Sequence, residues 1–214
     1  HLLLTADVPE ELLPTEKWIE RLRELAHRRT TIEFLKRYYG EEMPALGLPV
    51  ELHTEEDALR YHERHADCWL KAPWSSSGRG ILPTAGLDVQ QVGAWARGVI
   101  RRQGSLMGEV NMARTLDFAT EWEATADDVR FVGYSCFEVS PRGRYLGNVD
   151  EPQARLERRI SDRIAGNILE VVERQKLVLR QMVVGSYAGP LGIDMAALAG
   201  GDVNPCVEIN FRNT

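Results

Sequence analysis

The residues best suited to chemistry lie near the end of the chain. In the run Val207, Glu208, Ile209, Asn210, Phe211, Arg212 the apolar and polar residues alternate, so a strand here presents Glu208, Asn210 and Arg212 on one face. Asp194 lies a little upstream, after Gly189, Pro190, Leu191, Gly192 and Ile193. Two carboxylates and an amide oxygen on adjacent strands can hold a hard cation, because magnesium takes oxygen ligands and usually shares its coordination with phosphates. Taken alone, the same pattern also describes an edge strand with a solvated side.

A second segment changes the weighing. Cys68, Trp69, Leu70 and Lys71 form an apolar strand pattern ending in a lysine, followed by Ala72, Pro73, Trp74 and then Ser75, Ser76, Ser77, Gly78, Arg79 and Gly80. Loops of this composition let backbone amides approach phosphate oxygens, and the lysine adds a compact positive charge beside them. A Ser/Gly loop is equally common as a plain connection, and no Gly-Lys-Ser/Thr follows that would make it a Walker A loop.

Together these segments resemble the ATP-grasp superfamily. The strand lysine Lys71 with its serine loop, the segment Gly108 to Met112, the Asp194 strand and the run Glu208, Asn210, Arg212 occur in the family's order over roughly residues 26 to 212. The resemblance implies an α+β ATP-grasp fold of two α+β lobes clasping ATP, with an antiparallel-rich sheet in the larger. Residues 51 to 110 are then the smaller lobe of a domain spanning 26 to 214. Residues 1 to 25 would be a remnant of a preceding domain or a linker helix.

By the same resemblance, Lys71 binds the α- and β-phosphates, and Ser75, Ser76, Ser77, Gly78, Arg79 and Gly80 lie over the β- and γ-phosphates as a lid. Glu109, Val110 and Met112 form the hinge that meets adenine, and Asp117 takes the ribose hydroxyls. Arg28 occupies the place of a first phosphate-binding lysine. Asp194, Glu208 and Asn210 are implied as ligands of magnesium, with manganese as the alternative ion. Arg212 and Lys71 are the implied catalytic groups, Arg212 stabilising an acyl phosphate or its tetrahedral successor. One departure is plain: where ligases of the D-alanine:D-alanine type carry an arginine two residues before the metal aspartate, this chain has Gly192.

The elements that must position these residues follow from periodicity. Trp18, Leu22, Leu25 and Ile32 fall near helical spacing between Thr15 and Arg37, as one helix or two. Gly40 to Pro49 is a connection, and Thr54 with Asp57 opens a helix reaching about His65 by a capping-box pattern. Asp88 to Arg101 reads as another helix. Ser105 to Val110, Leu116 to Ala124 and Val129 to Val139 read as strands, with a hairpin closing at Pro141 to Gly143. Gln153 to about Leu179 carries one long helical period, and two strands joined through Ala199 to Asp202 end the chain. This order is α+β rather than a doubly wound parallel sheet.

At 214 residues and 43% hydrophobic content the chain can bury a substantial core. A net charge of −6 argues against a nucleic-acid binder. No apolar run approaches the length of a membrane span, Leu2 to Leu4 is too short for a signal-peptide core, and no membrane partner is expected. Cys68, Cys136 and Cys206 match no zinc spacing and read as reduced core thiols of a cytoplasmic protein. His53, His62 and His65 read as solvated surface.

The resemblance therefore implies an ATP- and magnesium-dependent ligase that activates a small carboxylate as an acyl phosphate for attack by an amine or similar nucleophile. A small-molecule kinase and a nucleotide-binding module without turnover are the alternatives, and a homo-oligomer is compatible with all three.

Overall fold

The computed structural model describes residues 13–42, 44, 47–75, 79–140 and 143–212. Two helices come first, α1 (Glu16–Leu25) and α2 (Arg29–Tyr39). Thr15 accepts the Trp18 amide to cap α1, and the chain breaks at Ala26 to His27 before α2 begins. A four-stranded antiparallel sheet follows, built from β1 (Val50–Leu52), β2 (Cys68–Lys71), β3 (Ile81–Pro83) and β4 (Leu106–Val110) in the order β1-β4-β2-β3. Helices α3 (Glu55–Arg64) and α4 (Val89–Gln103) cover one of its faces. Both helices open with a capping box, Thr54 with Asp57 and Asp88 with Gln91, each satisfying two amides that a helix start leaves without partners.

The second sheet has five antiparallel strands in the order β7-β6-β5-β8-β9. They are β5 (Arg114–Ala124), β6 (Val129–Val139), β7 (Tyr145–Asn148), β8 (Gly189–Leu198) and β9 (Val203–Asn210). Helices α5 (Gln153–Ser161) and α6 (Ile168–Val183), with α1 and α2, supply the other side of its core, where Phe34, Phe118, Trp122, Leu179 and Ile193 are enclosed. Polar side chains inside this core are paired with one another and with the backbone, the Tyr134 hydroxyl being buried without a partner among the described residues. Gln175 of α6 accepts from Thr120 and donates to the Pro205 carbonyl, while Trp122 donates to Thr120, so the helix is pinned to β5 and β9.

One expectation is corrected here. The single long helix read from Gln153 to Leu179 is two helices, because the chain leaves helical geometry after Ser161 and restarts at Ile168. The Ala165 amide donates instead to the Gly201 carbonyl (2.8 Å), and Asn167 caps α6 by accepting the Leu169 amide. Gly201, at φ +91°, makes that approach possible, since a Cβ there would lie 3.0 Å from the Ala165 nitrogen. The short strands β1 and β3 are additions to the sequence reading. All three cysteines are free and buried, and among the described residues no helix is long and apolar enough to cross a membrane.

Candidate active site

The two sheets face each other across a cleft of about 660 Å³, a size suited to a small ligand. On the four-stranded sheet the side-chain alternation sends Cys68 and Leu70 into the core beneath α3 and α4, and Trp69 and Lys71 into the cleft. On the five-stranded sheet Ile193 and Ile209 point to the core, while Asp194, Glu208, Asn210 and Arg212 line the cleft with Asp117 from β5. The predicted polar face at the end of the chain thus forms one wall of the cleft.

Asp194 and Glu208 are directly paired across β8 and β9, and Asn210 sits one row along, opposite Gly192. Burial, and then the neighbouring Glu208 carboxylate, push the Asp194 carboxyl up to about 7, against a hydrogen bond from Asn210 and the field of Arg212. Two carboxylates held side by side resist being charged together, which is the electrostatic demand a bound cation would answer. Among the described residues no three His, Cys, Asp or Glu side chains form a ready metal cage. A cation here would draw on two carboxylates, an amide oxygen and oxygens of a ligand, a donor set that fits magnesium.

Glu208 is already engaged. Arg28, at the start of α2 and only 5% exposed, donates from Nη2 to both Glu208 oxygens (3.0 and 2.8 Å). From Nη1 it donates to the Ala72 carbonyl and to Ser75 Oγ, each at 2.6 Å. Its backbone amide donates to the Pro73 carbonyl. One arginine therefore ties the loop after β2 to the carboxylate on β9.

Lys71 donates to Glu109 Oε2 at 2.5 Å, and both residues are buried. Burial pulls the Lys71 amine down and the Glu109 carboxylate opposes this, while the charges of Arg114 and Arg28 add to the downward pull. The site thus gathers positive charge around Lys71. The Glu109 side chain, expected only as part of a hinge, is the counter-ion of this lysine. Beyond it Val110 ends β4, and Asn111 accepts from the Trp69 indole and donates to Asp67. Met112 lines the cleft, and among the described residues its backbone amide and carbonyl make no hydrogen bond. Asp117 is paired with Arg114 at 3.1 Å.

Ser75, Arg79 and Gly80 line a second cavity of about 450 Å³ with Trp74 and Trp95, rather than the main cleft. The Ala72 amide closes this loop on the Gly80 carbonyl at 2.7 Å. Ser76, Ser77 and Gly78 lie outside the described residues. The apolar walls of the cleft were not singled out from sequence: Trp69 and Ile81 on one sheet, Phe137, Val139 and Tyr145 on the other. Trp69 was within reach of such a reading, since it lies two residues before Lys71 and shares its strand face. At the β6–β7 turn Gly143 has φ +74°, and a Cβ there would lie 3.0 Å from the Trp69 ring. The hairpin thus closes one side of the cleft against that indole.

No protein-family model and no curated protein sequence matches this chain. Solved structures do. Carboxyaminoimidazole ribonucleotide synthase from Aspergillus clavatus, complexed with ATP, aligns over 91% of this chain and 47% of its own, at 16% identity and a TM-score of 0.60. N5-carboxyaminoimidazole synthetase from Staphylococcus aureus, complexed with ADP, aligns over 89% and 45%, at 13% identity and a TM-score of 0.64. Biotin carboxylase from Campylobacter jejuni aligns over 89% and 41%, at 14% identity and a TM-score of 0.62.

The chain has the ATP-grasp fold. It spans less than half the length of each of these three proteins. Within this ATP-grasp fold the α+β architecture expected from sequence is present, with two antiparallel sheets on either side of the cleft.

Proposed function

We propose that this cleft binds ATP with magnesium and activates a small carboxylate as an acyl phosphate for attack by an amine, a C–N bond-forming ligation. The observation that carries the proposal is convergence. Lys71 from one sheet, and Asp117, Asp194, Glu208, Asn210 and Arg212 from three strands of the other and the residues just past its end, line a single cleft. The compared structures support it as fold relatives solved in complex with ATP or ADP.

Each residue then has a task. Met112 offers an amide and a carbonyl to the adenine edge between the apolar walls of the cleft, and Asp117 takes the ribose hydroxyls. Lys71 and Arg28 hold the phosphates. Asp194, Glu208 and Asn210 hold magnesium, which neutralises charge on the transferring phosphoryl group when bound. A carboxylate oxygen of the substrate attacks the γ-phosphorus, the bond to the β-phosphate oxygen breaks, and ADP leaves. The amine nitrogen then attacks the acyl carbon, the carbon–oxygen bond to phosphate breaks, and the nitrogen loses a proton. Arg212 is exposed, lines the cleft and forms no salt bridge among the described residues, so its charge is directed at the acyl phosphate and the tetrahedral species that follows.

Calorimetric titration with ATP and magnesium, followed by an ADP-release screen over small carboxylates and amines, tests this reading. Replacing Lys71 alone would leave Glu109 buried without its partner, so the informative variant is Lys71→Met with Glu109→Gln. Loss of one charge-assisted phosphate contact weakens ATP binding by about 1.5–3 kcal/mol, roughly ten- to a hundredfold. Equal affinity of the two proteins for ATP rejects the assignment.

A further inference from the structure

Glu208 faces two claims. As a cation ligand it needs its oxygens free, yet both accept from Arg28, whose side chain is 4% exposed. The pair is not an incidental surface contact. Arg28 also donates to Ala72 and Ser75, and its backbone amide is fixed to Pro73, so the guanidinium is held between the loop after β2 and the β9 carboxylate. Its Nε is buried and finds no acceptor among the described residues. A five-donor group in a closed site with one donor unanswered is matched to more oxygens than the protein supplies.

Resting on the function proposed above, we infer that Arg28 is the resident counter-cation of Glu208 and makes divalent-cation binding conditional on the nucleotide. A divalent cation and a guanidinium cannot both take the same two carboxylate oxygens, and their charges repel. A cation entering alone would expel Arg28 from its anion while the surrounding chain keeps it buried, and an unpaired buried charge is strongly disfavoured. The carboxylates nearest to hand are already claimed, Asp194 by the same cation on the function proposed above. Glu109 is committed to Lys71, and Asp117 to Arg114. A polyphosphate in the cleft removes the obstacle, because its oxygens accept Arg28 as Glu208 turns to the cation. The nucleotide and the cation therefore bind as a unit, and Arg28 leaves Ser75 as they arrive.

Binding of manganese to the protein as the spectroscopic probe, read from loss of the free-ion paramagnetic resonance signal beyond the loss that the analogue alone causes in solution, tests the inference on the full chain. It is measured with and without a non-hydrolysable ATP analogue, for the wild type, Arg28→Met and Arg28→Lys. The wild type is expected to bind manganese at least tenfold more tightly when the analogue is present. Without the analogue, Arg28→Met is expected to bind it at least tenfold more tightly than the wild type, with Arg28→Lys in between, because an ammonium neutralises Glu208 but does not fork to both oxygens and Ser75. Wild-type affinity that is the same with and without the analogue overturns the inference, whatever the fate of the variants. So does equal affinity of wild type and Arg28→Lys for manganese alone. A wild type that binds neither analogue nor manganese overturns the reading of the cleft itself, and the inference with it.

Discussion

The two sheets hold the two halves of the site on unequal foundations. The five-stranded sheet has strands of eleven, eleven, ten and eight residues beside the short β7, and its core contains Phe34, Phe118, Trp122 and Leu179. The four-stranded sheet has strands of three to five residues, and its core is built from smaller groups such as Ala58, Ala72, Val92, Ala96 and Val99. Asp194, Glu208 and Asn210 stand on the first, and Lys71 and the serine loop on the second. On the function proposed above, the difference teaches a division of labour: the groups assigned to the cation sit on the deep core, and the lysine assigned to the phosphates sits on the shallow one.

The strongest way to break that comparison is to cut into each core in turn. Phe118→Ala should cost about 3–5 kcal/mol and Leu70→Ala about 2–5 kcal/mol, since each empties a fully enclosed position. If the foundations differ as argued, Phe118→Ala lowers the denaturant midpoint of the whole chain, while Leu70→Ala moves only the transition of the four-stranded sheet. Urea unfolding followed by circular dichroism and by amide exchange separates these outcomes. A single transition shifted alike by both substitutions would mean that the sheets unfold as one body.

What the sequence made legible tracks the same divide. Long periodic elements were readable because their patterns repeat: β6 was expected and found at Val129 to Val139, and the capping box at Thr54 marked its helix. β1 and β3 have three residues each, too few for an alternation to register. The long helix failed because its break depends on Gly201, distant in sequence, accepting the Ala165 amide. The alternation around Glu208 correctly placed three polar side chains on one wall. No local pattern could disclose that Arg28 would reach Glu208, 180 positions away, or that Glu109 would serve as the counter-ion of Lys71.

His27 sits on the boundary between the two regions and sharpens the comparison by pH. It is enclosed at the α1–α2 junction, edge-on to Trp74 at 4.6 Å, and accepts the Arg29 amide on Nδ1. Burial, then the positive charge of Arg29, lowers its pKa from 6.5 to about 4. The unfolded chain therefore binds the proton more readily than the folded one. Stability is intact above about pH 6.5 and falls as the pH drops toward 4, by up to about 3 kcal/mol. Denaturant midpoints at pH 7 and pH 5 should differ more in the wild type than in His27→Gln. Identical pH slopes in the two proteins would show that His27 protonation does not act on the junction.

The smallest expected effect is the most local and bears on whether the shallow region behaves as a unit of its own. Thr54 Oγ1 accepts the Asp57 amide at 3.0 Å, and the Asp57 carboxylate accepts the Thr54 amide at 3.1 Å, closing the start of α3. Hydrogen bonds from Thr54, and then Arg60, hold the Asp57 carboxyl down to about 2, so the box is intact at neutral pH. Thr54→Ala removes one of its two bonds and should cost about 1 kcal/mol. Because α3 packs chiefly on α4 and β1, and among the described residues has no comparable packing on the five-stranded sheet, that loss should appear as faster amide exchange in α3, α4 and β1, with β5 and β8 unchanged. Acceleration spread equally over β5 and β8 would mean that opening of α3 is global unfolding. The two sheets would then share one stability, and the shallow side could not admit a ligand without loosening the deep side that holds Asp194 and Glu208.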